Sequence, residues 1–293
     1  MSINSGVIIA MAVGVAGSSV VHLSKALMRM GISGIARKQK AARIVYGLGI
    51  LLNFTNPLWV IVANRFAPVV YYTSMYGLGL VALVLFSARF MGEKLERKQV
   101  YGIVVVCAAT LVIGAGNIIR PIHSLFSVDQ SLVLVAATVW LVGGPLCAIA
   151  IRRARIVVQE LAFGLIAGGF GAFDSILKGI AQAGPYGSAF LPSDAARWMI
   201  FAASFLGAAG AFGMVQWSYL RGCRASTLGA SFNVTYVALP LVISTFAVKG
   251  AGLGLPSMIG LALLALGVYL IRTRATTTIT RYNETDAPHG RKP

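Results

Sequence analysis

The chain has 293 residues, 57% of them hydrophobic and 11% charged, and its mean hydropathy of +0.80 leaves too little polar surface for a water-facing globule. No stretch between residues 6 and 272 has the composition of an independent soluble core, which excludes soluble enzymes. Twenty-five Lys and Arg against eight Asp and Glu would elsewhere suggest nucleic acid, but these bases cluster between apolar runs, where they meet anionic headgroups. The lipid bilayer is therefore the expected partner, and nucleic acid is not.

A helix crossing hydrocarbon needs about 20 mostly apolar residues, because each backbone N–H and C=O must be paired within the segment. Nine stretches qualify, over 6–28, 43–64, 68–90, 99–116, 131–151, 159–183, 196–219, 225–247 and 253–272. The first could be mistaken for a signal peptide. Met1 to Gly6 carries no base, however, and no small-x-small cleavage site precedes His22, so it reads as a retained helix. The connecting loops test the count. Nineteen of the 25 bases fall on one side and only Arg65, Arg120, Arg197 and Lys249 on the other, with Lys25 and Lys178 inside spans. An odd number of spans with this alternation puts the N-terminus outside and the C-terminus in the cytosol, in a multi-pass protein of the plasma or cell membrane. The polar tail, 275–293, reads as disordered, with an idle Asn283-Glu284-Thr285 sequon. Cys107, Cys147 and Cys223 have no metal or CxxC spacing.

Ser19 to Gly31 lies over Ala172 to Gly184 without a gap, aligning Lys25 with Lys178 and Gly31 with Gly184. Each segment precedes three further spans. Short basic turns, Asn64 to Pro68 and Leu220 to Arg224, precede the third and eighth spans, and Tyr101-Gly102 and Ile259-Gly260 fall near the start of the last span of each set. The expected fold is an all-α polytopic membrane protein with nine transmembrane helices. A first four-helix repeat (1–118) and a second, inverted one (159–274) flank a connector with the fifth helix (119–158), and the tail follows. Inverted repeats can exchange conformations about one central site, as secondary transporters do.

Several segments resemble those of the NIPA-type magnesium transporters, within the drug/metabolite transporter (EamA-like) superfamily. They are Gly17-Ser18-Ser19 with Lys25, Met91-Gly92-Glu93-Lys94-Leu95, Gly171-Ala172-Phe173 with Leu177-Lys178-Gly179, and Gln216 to Ser231. The resemblance runs over nearly the whole membrane region and implies a compact helix bundle and Mg2+ as the transported ion. The chain departs from it at Leu23-Ser24-Lys25, where that family often carries consecutive lysines.

Asp174 is the one carboxylate expected well inside a span, and Lys178 lies one helical turn on. They could neutralise each other or meet a substrate or ion, Asp174 being the candidate metal ligand. Lys25 and Lys178 either snorkel to the headgroups or act as pseudo-symmetric gate charges. His22, one turn before Lys25, either titrates or packs. Asn53, Thr55, Asn56 and Pro57 in the second span, and Gln216, Asn233, Thr235 and Pro240 in the second set, offer cation or solute ligands, or hydrogen bonds between helices. Pro240 is expected to unwind its helix near mid-membrane. Glycines 164, 168, 169, 171, 207, 210 and 213 are expected to allow close packing. Glu93 and Glu96 read as a solvated turn.

No nucleophile–base set, phosphate loop or ATP-binding motif is visible, so no enzyme activity and no cofactor are expected. Transport would be passive or driven by an ion gradient. The resemblance favours magnesium or another divalent cation moved by alternating access. A carrier of a small organic metabolite or drug is the alternative, and a non-transporting scaffold the third reading. A second copy of the chain is a candidate partner.

Overall fold

The computed structural model describes residues 5–92, 96–119, 128–184, 187–248 and 252–271, and the elements are almost all helical. In chain order they are α1 (Ser5–Ala36), α2 (Ala42–Asn53), α3 (Asn56–Phe66), α4 (Val69–Ser74), a 3-10 turn (Tyr76–Leu78), α5 (Gly79–Phe90), α6 (Arg97–Ile119), α7 (Gln130–Ala150), α8 (Ile156–Gln182), α9 (Ala195–Leu220), α10 (Ala225–Ala247) and α11 (Leu255–Ile271). Two residue pairs, β1 (Ala183–Gly184) and β2 (Gly187–Ser188), form an antiparallel hairpin between α8 and α9.

Eight of the nine expected spans are long and apolar enough to cross a membrane, which makes the chain an integral multi-pass membrane protein. The ninth, α11, has 17 residues and lies at the short end of that range. Glu93, Arg120, Lys249, and the tail with its sequon lie outside the described residues.

The sequence boundaries miss two features. The second span breaks at Phe54 and Thr55, and Pro57 sits in the first turn of α3, where its missing N–H needs no partner. The third span is interrupted at Tyr76–Leu78. Pro240, by contrast, lies inside a continuous α10 and does not unwind it, which corrects the expectation for that helix.

Burial sorts the helices. The central helix α8 is enclosed along nearly its whole length by α9, α10 and α7, and α1 packs on α2, α3, α5 and α4, while α6 and α11 pack on each other. Small residues permit these approaches. A Cβ at Gly168 would stand 2.1 Å from the Phe232 carbonyl oxygen of α10, and one at Gly207 would stand 2.7 Å from the Phe170 carbonyl oxygen of α8. Gly164, Gly169, Gly171 and Gly210 also meet neighbours, but a Cβ at Gly213 would meet nothing within 4 Å, so the packing role does not extend to it. In the turn between α9 and α10 Gly222 has φ +85°, a left-handed value that favours glycine.

Polar termini anchor the ends. Asp129 and Asp194 cap α7 and α9 by accepting the N–H of Leu132 and of Arg197. The bond from the Arg197 N–H is the main reason the Asp194 carboxyl lies below its ordinary range. At the other end Glu160 accepts from the Arg224 backbone N–H (2.8 Å) and guanidinium (3.1 Å). Burial, with Glu160 nearby, pushes the Cys223 thiol up to about 12, so it stays protonated.

Candidate functional site

α1 and α8 carry the charges the sequence places inside the membrane, and both lysines are buried. Lys25 is 3% exposed, and Asp174 and Lys178 are 0%. Neither lysine snorkels. α1 continues to Ala36, which leaves Lys25 well short of the helix end rather than near it as the expected span had placed it.

The two lysines have different surroundings. Lys178 Nζ donates to Asp174 Oδ1, one turn earlier on α8, and to Ser204 Oγ of α9 at 3.0 Å, and it lies 4.2 Å from the Phe205 ring centroid. The mutually neutralising pair therefore forms. Lys25 Nζ has no hydrogen-bond partner among the described residues. It stands 3.2 Å from the Phe232 ring centroid and 5.7 Å from that of Tyr76, and the ring quadrupoles offer it partial compensation.

Phe232 and Tyr76 belong to an aromatic column at the centre of the bundle. Tyr72 and Tyr76 stand one turn apart on α4 and the 3-10 turn, and Phe232 and Tyr236 one turn apart on α10. The Tyr76 and Tyr236 rings meet at 4.0 Å between centroids, and Phe232 stacks on Tyr236 at 5.4 Å. Ser175 and Tyr236 share a hydrogen bond of 2.6 Å. His22 gives its Nδ1 to the Ser18 carbonyl at 2.7 Å and lies 5.0 Å from the Tyr76 ring, with Asn233 beside it.

Beside this column a cavity of about 680 Å3 lies between α1, α2 and α3 on one side and α8 and α9 on the other. Of the sequence candidates it collects Lys25, Asp174, Asn53 and Asn56. His22, Lys178, Gln216 and Asn233 do not line it. Asn53 accepts from Ser24 Oγ and Asn56 from Tyr72 Oη, each at 3.4 Å. The remaining wall is aliphatic or aromatic, with Phe54, Phe201, Phe205 and Phe212 prominent. Such a space suits a small organic molecule, since pockets of this size are mostly apolar with a few fixed polar groups.

The hydrogen bonds beside the cavity differ between its two ends. At the end carrying Arg29 and Arg221, Tyr46 of α2 donates to Gln216 of α9 (2.9 Å), Gln216 Nε2 reaches Met28 Sδ (2.9 Å), and Arg29 donates to the Gly222 carbonyl (3.1 Å). Gln216 is thus a strut between helices and not a cavity ligand. At the hairpin end Gln182 ties α3 to the segment after β2. It accepts from Asn64 Nδ2 (3.2 Å) and offers its amide to the carbonyls of Ile61, Ala189 and Phe190 at 3.0 to 3.1 Å. The cavity wall reaches Leu191, beyond the hairpin, so the space extends toward that end.

Sequence reasoning missed the aromatic column, Gln182 and Tyr46. The column had a signal: Tyr72 with Tyr76 and Phe232 with Tyr236 are pairs four residues apart, in the third and eighth expected spans. Gln182 and Tyr46 carried none, because a polar residue near a span end is ordinary. The described residues contain no cluster of three His, Cys, Asp or Glu that could hold a metal.

Compared with protein-family models, with curated proteins and with solved structures, the chain matches none. The resemblance to NIPA-type transporters therefore rests on its sequence segments alone.

Proposed function

We propose that the chain is a secondary carrier of a small organic solute that works by alternating access. The observation that carries this reading is the central cavity, apolar and aromatic in wall, with a buried lysine on one side whose amino group has no hydrogen-bond partner among the described residues. A scaffold has no use for a buried lysine that must either give up its proton or stay charged without an acceptor.

Alternating access is supported by the packing. α1 lies against α2 and against α4 and α5, as α8 lies against α9 and α10, and the last helices of the two sets, α6 and α11, pack together. In this reading the two sets are inverted repeats, the N-terminus is outside and the tail cytosolic, so the hairpin end is external and the Tyr46–Gln216 contact closes the cytosolic mouth. Exchange between the sets would open that contact and close the hairpin end.

Magnesium fits the donor set less well. Mg2+ takes six oxygens in octahedral array, often keeping several waters. Asp174 already neutralises Lys178, and Lys25, across the cavity from it, offers a divalent cation no oxygen ligand. Counterflow in liposomes holding the full chain separates the cargoes. We expect saturable exchange of at least one aromatic organic solute, with flux lost in Lys25→Met. Saturable Mg2+ flux with no organic exchange would overturn the proposal in favour of the divalent-cation reading, and no flux at all would favour the scaffold.

A further inference from the structure

We infer that the cargo is an organic monoanion, its apolar body in the aromatic part of the cavity and its anionic group on Lys25 Nζ. This rests on the carrier reading and adds the charge class to it. Lys25 is buried, faces the cavity and has no hydrogen-bond partner among the described residues, so its amino group holds a proton there only when an acceptor arrives with the cargo. Phe232 covers one side of it at 3.2 Å and accepts no conventional hydrogen bond. A carboxylate or phosphate entering the cavity would supply the missing acceptor in a water-poor space, where a charge-assisted bond is strongest.

The second charge on the wall argues for one anionic group and no cation. Asp174 Oδ1 is held by Lys178. That pair is neutral as a unit, which leaves Lys25, protonated when an anion binds beside it, as the net charge facing the cargo. Asp174 Oδ2 has no hydrogen-bond partner and repels a second anionic group, so the anion is confined to the Lys25 side. Phe201, Phe205 and Phe212 receive the apolar part.

The test uses four ligands that share one aromatic body: 3-phenylpropanoate, 3-phenylpropanamide, 3-phenylpropylammonium and zwitterionic phenylalanine. Each is titrated into the purified full chain and its Kd taken from the shift in melting temperature. The carboxylate should bind about tenfold or more tighter than the amide, and Lys25→Met should bring the two within about twofold. Equal binding of carboxylate and amide in the wild type, preference for the ammonium, or no binding by any of the four overturns the inference. Phenylalanine binding tightest overturns it too, since Asp174 would then recognise a cation. The wild-type ranking decides the matter even if the variant fails to fold. Liposome flux judges the carrier reading separately. A protein that prefers the ammonium yet exchanges organic solutes keeps that reading and loses this inference, and one that binds the carboxylate but moves nothing keeps the anion site at Lys25 and loses both the carrier reading and the claim that the anion is cargo.

Discussion

Lys25 and Lys178 occupy aligned positions on α1 and α8, are equally buried, and live in opposite circumstances. Lys178 has a carboxylate one turn away on its own helix and a serine on the next. Lys25 has the valine Val21 in the position aligned with Asp174, and its ammonium meets two aromatic rings instead. Burial is therefore a poor guide to which lysine meets a ligand. Charge balance is the better one: a compensated pair holds the bundle together, whereas an uncompensated group leaves a deficit that a visiting molecule can fill. On α8 the lysine is matched by a carboxylate, and on α1 it is not.

The largest effects should come from unbalancing the satisfied side. Asp174→Asn or Lys178→Met leaves one buried charge alone and is expected to cost about 3–5 kcal/mol, read as a fall in melting temperature of the purified protein. Combining both changes should recover most of the loss. If Asp174→Asn alone melts like the wild type, the pair is not structural. The same substitution on the other lysine should act in the opposite direction. Lys25→Met removes a buried amine without a hydrogen-bond partner among the described residues and should raise the ligand-free stability by about 1–3 kcal/mol while abolishing exchange. Parallel destabilisation by Lys25→Met and Lys178→Met would erase the contrast between the halves.

Much of this architecture was legible in the sequence because a bilayer imposes a length and a composition on every crossing segment. Eight spans and a short ninth lie close to where hydropathy placed them, and the eighth, Ala225–Ala247, coincides with the expected 225–247. The breaks at Phe54-Thr55 and Tyr76–Leu78 were not legible, since apolarity reports that a segment is in lipid and says nothing of how its backbone turns there. The Asp174–Lys178 pair follows from its spacing, which puts both on one face of a helix. The unpaired state of Lys25 did not, because it depends on Phe232, some two hundred residues away. For the same reason the role of Gln216 was not legible: an amide at a plausible depth can serve a cargo or another helix, and here Gln216 joins α1, α2 and α9.

The ends of the cavity offer a smaller version of the comparison. Gln182 meets four polar groups at the hairpin end, and Gln182→Ala would leave the buried Asn64 amide without its acceptor, at a cost of about 1–3 kcal/mol. Thermal unfolding measures it, and an unchanged melting temperature would mean that other groups or water satisfy that amide.

The smallest effect on stability, about 1 kcal/mol, is expected from Tyr46→Phe, which deletes the hydroxyl that reaches Gln216 at 2.9 Å while keeping the ring. Its effect on accessibility should be plainer, because a contact made in one state and broken in the other biases the equilibrium by its whole value. A cysteine placed at Val215, on the cavity wall one residue from Gln216, reports which mouth is open. In Tyr46→Phe it should react about five times faster with a membrane-impermeant thiol reagent applied from the Arg29–Arg221 side, the factor that 1 kcal/mol corresponds to. The same rate from that side with and without the hydroxyl would mean that the Tyr46–Gln216 bond does not bar that mouth, and that Arg29 and its bond to the Gly222 carbonyl hold it closed instead.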